Sequence, residues 1–217
     1  MTSYKPEYAR MEDYLTTIYR LEEALEEARI SDISRELRVS PATVSKIIGK
    51  LEEKSLVIRV KYKGVKLTEK GRNLAEKIIR KHRIAEVFLL KILGFNEVEA
   101  HRYAHHLEHL PDIVVEKIYE AVGKPPVCPH GNRIPGASIA ASKLTRLINA
   151  QLLKTCVVKR IAGEFTDVLE YVYNAGIKVD EEIVVLKLTD KSVMVKLSND
   201  SRHEIPTYIA RFIYVEC

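Results

Sequence analysis

The chain has 217 residues, of which 46% are hydrophobic and 30% are charged, so it can bury a sizeable core in one large domain or a few small ones. Its 35 Lys and Arg residues exceed its 30 Asp and Glu residues, and the net charge of +5 permits nucleic-acid binding without requiring it. There is no run of about eighteen apolar residues and no apolar N-terminal segment, which argues against a membrane span and a secretory signal. The cysteines, Cys128, Cys156 and Cys217, are scattered and odd in number. We therefore expect no disulfide framework and a reducing, cytoplasmic location.

The first third of the chain combines helical periodicity with a hairpin pattern. Apolar residues recur at helical spacing from Glu12 to Glu27, and a short helix with Ser31 as its N-cap is predicted from Ser31 to Arg38. A third helix follows, with Ser40 as its N-cap and Pro41 in its first turn. Apolar and basic residues then alternate around Lys63-Gly64, which predicts a two-stranded hairpin. This order of elements is typical of a winged helix-turn-helix.

In a winged helix-turn-helix the second helix enters the major groove, where its N-terminal residues meet base edges. Small Ser, Thr and Ala side chains let the helix approach closely, and nearby basic residues favour phosphate contacts. From Pro41 to Arg72 there are nine Lys or Arg residues against three Glu residues. A solvated basic face is the alternative, but the basic hairpin favours DNA binding. The predicted DNA contacts are Ser40, Pro41, Ala42, Thr43, Ser45, Lys46, Lys50, Lys61 and Lys63, with Arg59 and Lys66 also near the backbone.

The centre of the chain is predicted to be helical and carries most of the histidines. Thr68 caps a long helix from Glu69 to about Leu93, a second helix follows Asn96, and a third spans roughly Pro111 to Val122. Five of the seven histidines lie here: His82, His101, His105, His106 and His109. Histidine is the commonest metal ligand. This concentration therefore indicates a metal site.

The spacing of the candidate ligands places them on shared helix faces. Residues at i, i+4 and i+7 lie on one side of a helix, and two antiparallel helices with such pairs can surround a divalent ion. The candidates are His82 and Glu86 on the long helix, with His101, His105, Glu108 and His109 on the next. His106 points elsewhere. A His-rich surface helix is the alternative, but two pairs on adjacent helices favour metal binding.

The last third of the chain changes in composition. Residues 123–136 are rich in Pro and Gly and have no periodicity, which predicts a linker or an ordered loop. Cys128 and His130 of its CPHG motif could form a ligand pair, but a tight turn is the favoured interpretation. Beyond about Lys154 most segments read as strands, which predicts a small β-barrel. One short helix is predicted from Phe165 to Asn174.

The chain resembles the DtxR/MntR family of metal-dependent transcriptional repressors over essentially its whole length. The motifs that carry the resemblance are MEDYLTTIYRLEE, ISDISRELRVSPATVSKIIGKLEEKSLV, GVKLTEKG, KHRIAEVFL, HRYAHHLEH and CPHGNRIPG. The resemblance implies a mainly α fold with a small β part. Its domains would be a winged helix-turn-helix at 1–73, a helical dimerisation and metal-binding domain at 74–150, and an SH3-like (FeoA-like) domain at 151–217. It also implies a homodimer on a double-stranded DNA operator. We expect the SH3-like domain to contact its own metal-binding domain, with a proline-rich segment or no partner as the alternatives.

Two metal sites are implied by the same resemblance. The principal site would use Asp13, His105, Glu108 and His109, and the neighbouring site would use His82, Glu86 and His101. The aspartate at position 13 matches manganese-type members, whereas the histidine at position 105 matches neither the iron-type cysteine nor the manganese-type glutamate. A further manganese-type ligand position falls on Thr16, a poor ligand, and two iron-type barrel positions fall on Arg160 and Gly163, which cannot bind metal.

The types of ligand restrict the candidate metals but do not identify one. Carboxylate and imidazole ligands suit Mn²⁺ and Fe²⁺, with manganese slightly favoured, while Zn²⁺, Co²⁺ or Ni²⁺ would also bind in vitro. We therefore expect a metal-activated repressor that senses Mn(II) or Fe(II), binds palindromic operators as a homodimer and controls metal-homeostasis genes.

Two other functions are weighed against the repressor. A winged-helix regulator that responds to a small organic ligand would bind DNA without regard to metal. A metal-dependent hydrolase is disfavoured because the sequence has neither an HExxH motif nor a nucleophile elbow. We expect neither enzymatic activity nor a membrane partner.

Overall fold

The structure is a computed structural model that describes residues 11–61, 64–139 and 143–217. The chain divides into two compact units, and the boundary between Ile78 and Ile79 falls inside a long helix, α4 (Glu69–Lys91). Among the described residues, none of the helices combines the length and the apolar character that a membrane span requires.

The first unit begins with a helix-turn-helix. Its helices are α1 (Met11–Leu25), α2 (Ile30–Leu37) and α3 (Pro41–Glu53). Ile18, Ile33 and Ile48, one from each helix, are fully buried and form part of its core. Helix α3 begins as predicted, because the Ser40 hydroxyl accepts a hydrogen bond from the Thr43 N–H at 3.1 Å.

The predicted cap of α2 was wrong. The helix begins at Ile30, and its N-cap is Arg29, which makes no side-chain capping bond. The preceding residue, Ala28, forms an isolated antiparallel bridge with Val65. This pairing holds the chain extended up to Arg29, so the helix starts before Ser31 can cap it.

The wing is the predicted hairpin of β1 (Val57–Val60) and β2 (Gly64–Leu67), which pair antiparallel with Val57 opposite Leu67. Gly64 has φ +91°, and a Cβ there would lie 2.2 Å from the Ala28 carbonyl oxygen. Only glycine fits such a position. The expectation of a winged helix-turn-helix is confirmed.

Helices α5 (Glu97–Leu107) and α6 (Asp112–Ala121) follow α4. Thr68 caps α4 as predicted, since its Oγ1 accepts from the Gly71 N–H at 3.1 Å. Small Ala100 and Ala104 on α5 are fully buried in one cluster with α4 residues, including Leu89. Helix α5 ends earlier than expected, so Glu108 is its C-cap and His109 lies beyond it.

The rest of the second unit is an SH3-like antiparallel sheet with short helices. Its strands are β3 (Thr145–Arg146), β4 (Thr155–Ile161), β5 (Glu182–Leu188), β6 (Ser192–Leu197), β7 (Arg202–Pro206) and β8 (Ile213–Glu216). They pair in the order β3-β8-β4-β5-β6-β7 within the described residues. Alternate residues such as Val158, Val185 and Val195 are fully buried. Helices α7 (Thr166–Asn174) and α8 (Thr207–Ala210) and a 3-10 turn (Leu147–Asn149) connect the strands.

A disulfide joins Cys156 and Cys217, a pairing that the expectation of no disulfide framework did not include. The two residues are 61 positions apart in sequence, which hid the pairing. They are brought together because β4 pairs with β8 in a register that sets Val157 opposite Glu216, and their Cα atoms lie 4.1 Å apart. The remaining cysteine, Cys128, is buried and free of disulfide bonding.

Candidate metal centre

The candidate metal centre is built around the carboxylate of Glu86 on α4. Glu86 Oε1 lies 3.1 Å from His82 Nε2 and 2.8 Å from His101 Nδ1. The two imidazole nitrogens are themselves 3.1 Å apart. All three side chains are buried. The structure therefore brings together the three residues that were predicted to form the neighbouring site.

Glu108 connects these residues to the other candidate ligands. Its Oε2 lies 2.8 Å from His82 Nδ1 and 3.4 Å from His105 Nδ1, and its Oε1 lies 3.8 Å from His109 Nε2. Glu108 is buried, whereas His109 is exposed. His105 is half-buried, and it offers a nitrogen within 4.8 Å of nitrogens of both His82 and His101.

Asp13, the remaining member of the predicted principal set, lies on α1 in the first unit and is half-buried. Within the second unit, His105 thus belongs to the same cluster as the predicted neighbouring ligands. We call His82, Glu86, His101 and His105 the imidazole cluster.

A second group of donors, which we call the thiol cluster, comprises Glu86, Cys128, His130 and Glu164. These four residues are buried, and each offers one donor atom within 4.8 Å of the others. His130 Nδ1 lies 3.4 Å from Glu86 Oε1, and Cys128 Sγ lies 3.2 Å from Glu164 Oε1. Glu86 therefore belongs to both clusters.

The CPHG turn positions the thiol cluster. The Gly131 N–H donates to the Cys128 carbonyl at 2.9 Å, which is the tight turn favoured from the sequence. The turn docks on β4, because the Ile161 N–H donates to the His130 carbonyl at 2.8 Å. Gly131 has φ +78°, and a Cβ there would lie 2.1 Å from the Lys159 carbonyl oxygen. The tight turn and the Cys128–His130 donor pair therefore occur together, although they were treated as alternatives on the basis of the sequence.

Glu164 was absent from the sequence analysis, which placed the barrel ligand positions at Arg160 and Gly163. Gly163 and Glu164 both have positive φ, at 82° and 50°, and this bend follows β4 directly. Arg83 Nε donates to Glu164 Oε1 at 2.8 Å, and both side chains are fully buried. The only signal in the sequence was a carboxylate beside a glycine at the end of a predicted strand.

Burial and neighbouring charges shift the titration of these groups. Burial alone would raise the pKa of Glu86, but His130, His82 and His101 outweigh it and hold that pKa well below its usual value. The pKa of Glu108 is also lowered, because hydrogen bonds from His105 and His82 overcome its burial. Burial lowers the pKa of His101 to about 3, so its imidazole stays neutral near pH 7. Both carboxylates are therefore charged, as metal ligands must be.

Several polar atoms around Glu86 lack a hydrogen-bond partner among the described residues. They are Glu86 Oε2, His101 Nε2, His130 Nε2 and the Tyr173 hydroxyl. An unsatisfied buried polar atom costs about 1–3 kcal/mol. Carboxylate and imidazole lone pairs gathered in this way fit a divalent cation, which would supply the missing partners.

Three family models match the chain in succession. They are "Iron dependent repressor, N-terminal DNA binding domain" at residues 8–65, "Iron dependent repressor, metal binding and dimerisation domain" at 68–136, and "FeoA domain" at 145–217. The diphtheria toxin repressor of Corynebacterium diphtheriae is 30% identical over 219 residues, covering 94% of this chain and 96% of that protein. The chain belongs to the iron-dependent repressor family.

Other relatives agree with this assignment. The HTH-type transcriptional regulator MntR of Bacillus subtilis (strain 168) is 37% identical over 99 residues, or 46% of this chain and 69% of that protein. The T. acidophilum IdeR structure superposes with a TM-score of 0.82 at 28% identity, covering 96% of this chain and 98% of that one. The structure of the manganese regulator SloR gives a TM-score of 0.81 at 30% identity, covering 96% and 99%. This family member is a metal-dependent transcriptional repressor and not an enzyme.

The DNA-reading element of the repressor presents most of its predicted contacts to solvent. Ser40, Pro41, Ala42, Thr43, Lys46, Lys50 and Lys61 are exposed, and Ser45 is half-buried. Lys63 lies outside the described residues. Arg59 differs from expectation, because its guanidinium donates to the Glu52 carboxylate and to the Ser45 carbonyl, each at 2.9 Å. It holds the wing against α3.

Proposed function

We propose that this repressor binds palindromic operator DNA as a homodimer when Mn(II) or Fe(II) occupies its buried histidine and carboxylate clusters. The observation that carries the proposal is the convergence of His82, Glu86 and His101 in one place, where Glu86 Oε2 and His101 Nε2 lack a hydrogen-bond partner among the described residues. A ligand that supplies those partners stabilises the arrangement of residues that binds it.

The proposed ligands form three sets. Asp13 with His105, Glu108 and His109 would form a principal site, and His82, Glu86 and His101 a neighbouring one, to which Cys128, His130 and Glu164 add a third set of donors. Asp13 lies on the helix that leads into the helix-turn-helix. A metal bound through it would restrict the recognition helices to the spacing of two operator half-sites, about 34 Å or a multiple.

The thiol makes part of the metal response dependent on pH. Burial, and then the charges of Glu86 and Glu164, raises the pKa of Cys128 well above its usual value. A metal ion that binds Cys128 must therefore displace a proton, and its affinity for the thiol cluster rises with pH. Soft thiolate suits Fe or Zn better than Mn, whereas the carboxylates and imidazoles accept Mn(II) or Fe(II).

The three-domain division into 1–73, 74–150 and 151–217 is also part of the proposal. In it the SH3-like domain closes the thiol cluster with Glu164. Support comes from the buried Arg83–Glu164 ion pair and from an ion pair at 3.2 Å between Arg102 on α5 and Glu170 on α7. A cytoplasmic location follows from the proposed DNA partner.

Metal titration of DNA binding tests the proposal. Chelated full-length protein would be used to select DNA from a random pool with Mn(II) present, and affinity would then be measured anaerobically with Mn(II), Fe(II), Zn(II) and Co(II). We expect at least tenfold tighter binding with Mn(II) or Fe(II), and loss of that gain in Glu86→Gln but not in the exposed control Glu120→Gln. Equal affinity with and without metal would overturn the proposal and favour the regulator that responds to an organic ligand.

A further inference from the structure

We propose that Lys46 reads a guanine in each operator half-site, and that Gly49 lets the recognition helix α3 come close enough to the bases for that contact. The inference deepens the proposed function, because it assigns a base to the DNA that the helix-turn-helix binds. It rests on the operator binding of the proposed function but not on the identity of the metal.

The outer face of α3 lies opposite the residues that pack into the core. The core residues are Val44, Ile48 and Leu51, all fully buried. Successive residues turn by about 100° around the helix axis. The outer face therefore comprises Ala42, Lys46, Gly49 and Glu53. Of these four side chains only that of Lys46 can donate hydrogen bonds, and the negative charge of Glu53 keeps the last turn of the helix away from DNA phosphates.

The ammonium group of Lys46 is available for a ligand. The side chain is exposed, and within the described part of the chain it forms no ion pair and no hydrogen bond. Arg59 of the wing differs, because its guanidinium already donates to the Glu52 carboxylate and to the Ser45 carbonyl, each at 2.9 Å. A contact between Lys46 and DNA thus breaks no interaction within the protein.

Gly49 is a glycine that the fold itself does not require. A Cβ at this position would meet no heavy atom of the surrounding structure within 4 Å, and the residue is not among the glycines with positive φ. Glycine weakens the interior of a helix relative to alanine, so alanine would serve folding better. A glycine without such a need permits the close approach of another molecule, and the partner of this helix face is DNA.

Small neighbours on both sides leave Lys46 as the one long side chain near the centre of the outer face. Ala42 lies one turn before it and Gly49 one turn after it. The major groove is about 12 Å wide and a helix with its side chains is about 10–12 Å across, so a face of small residues brings the helix closer to the base edges. Lys50 lies about 40° further from the centre of this face, toward the phosphates at the side of the groove.

The chemistry of lysine selects the base. An ammonium group has three donors and no acceptor. Guanine presents two acceptors, N7 and O6, on its major-groove edge, whereas adenine and cytosine each present an amino donor that the ammonium group cannot accept. Thymine presents one acceptor beside a methyl group. Guanine is therefore the base that gives Lys46 the most hydrogen bonds.

Modified bases in a selected operator test the contact. Full-length protein would select DNA from a random pool with Mn(II) present and, separately, in chelator, and affinities would be measured at low salt for operators with one base replaced. We expect one guanine to be retained in each half-site. Inosine keeps N7 and O6 and should bind as guanine does. Both 7-deazaguanine, which lacks N7, and adenine, which lacks O6, should bind at least about fivefold more weakly.

Lysine variants separate base reading from phosphate binding. In Lys46→Ala the penalties for 7-deazaguanine and adenine should disappear. Lys46→Gln should prefer adenine, because a glutamine amide pairs with adenine N6 and N7. The matched control, Lys50→Ala, should weaken binding to all sequences by the same factor and keep both penalties. Undiminished penalties in Lys46→Ala, or half-sites without a retained guanine, would overturn the inference.

For Gly49→Ala, folding and binding should move in different directions. The variant should unfold at the same or a higher temperature, while its operator affinity should fall at least fivefold. Unchanged affinity would show that the glycine has no role in the approach to DNA. The selections with Mn(II) and in chelator separate the two proposals. A guanine contact through Lys46 with equal affinity in both conditions would overturn metal activation alone, and metal-activated binding without a guanine requirement would overturn this inference alone.

Discussion

At the scale of single residues, Glu108 shows how one carboxylate can orient two imidazoles. It is buried and accepts from His82 and His105. Removing it would free both rings, so Glu108→Ala should weaken metal-activated DNA binding by about tenfold to a hundredfold while the protein still folds. Glu108→Gln keeps an acceptor oxygen and should lose less. Operator affinity against metal concentration measures the effect, with circular dichroism to verify folding. An unchanged metal response in Glu108→Ala would show that this residue has no role in the metal centre.

The buried imidazole of His101 predicts a pH dependence for the metal-free protein. Its pKa of about 3 lies below the 6.5 of a free imidazole. Between these two pH values the unfolded chain binds a proton at His101 that the folded chain does not bind. Stability should therefore fall as pH drops from about 6.5 toward 3, by up to about 1.4 kcal/mol per pH unit. His130 acts in the opposite direction, since Glu86 raises its pKa against the effect of burial.

A difference measurement isolates His101. Unfolding would be followed in chelator between pH 7.5 and 5 for the unsubstituted protein, His101→Gln and the exposed control His106→Gln. The curve of His101→Gln should be flatter than the other two. Parallel curves for all three proteins would contradict the assignment.

At the scale of elements, the CPHG turn couples the thiol cluster to the sheet. A methyl group at Gly131 would meet the Lys159 carbonyl at 2.1 Å and would also have to adopt φ +78°. Gly131→Ala should therefore displace Cys128 and His130 and weaken metal binding at the thiol cluster by tenfold or more, while the imidazole cluster is retained. The near-ultraviolet absorption band of Co(II) bound to the Cys128 thiolate measures this loss. Gly123 also has positive φ but has open space around its would-be Cβ, so Gly123→Ala is the matched control. Equal thiolate bands in both variants would show that the close approach to Lys159 has no role.

The exposed lysines of the helix-turn-helix and wing predict a salt-dependent affinity for DNA. Each phosphate contact contributes about −0.9 to the slope of log affinity against log salt concentration. Lys50→Ala and Lys61→Ala should each make that slope shallower by about one unit, and Lys117→Ala, far along the chain on α6, should not. Affinities measured over a range of salt concentrations give the slopes. An unchanged slope after replacement of both lysines would exclude these two side chains from the DNA interface.

Local patterns predicted the elements better than the contacts between them. Helix α3 and strand β4 were predictable because capping and alternation are local signals, as Ser40 and the segment TCVVKRI illustrate. Strands β3 and β7 were not, because one has only two residues and the other is largely polar. Glu164 reaches the metal centre because the chain bends at Gly163, and neither helical nor strand periodicity predicts such a bend. Contacts between residues that are distant in sequence were therefore the part of the structure that could not be predicted.

At the scale of the whole molecule, the Cys156–Cys217 disulfide ties two distant parts of the second unit together. Closing a loop of this length restricts the unfolded chain and contributes about 2–4 kcal/mol. Cys217→Ser should lower the free energy of unfolding by that amount under oxidising conditions, as measured by denaturant titration. Reductant should destabilise the unsubstituted protein and leave the variant unchanged. Identical stability of the two proteins without reductant would show that the bond does not form in solution.

Glu86 stands in both clusters, and this has a consequence for how the protein would report metal concentration. His82, His101 and His130 all approach the same oxygen of that carboxylate, Oε1. An ion held there by one cluster changes the charge that the other cluster meets, so the two clusters cannot fill independently. Whatever factor the first ion applies to the affinity of the second, the second applies equally to the first. The dose–response curve of the repressor should therefore depart from that of two separate sites. Its steepness would be set by one shared side chain, and Glu86→Gln would change the shape of the curve as well as its midpoint.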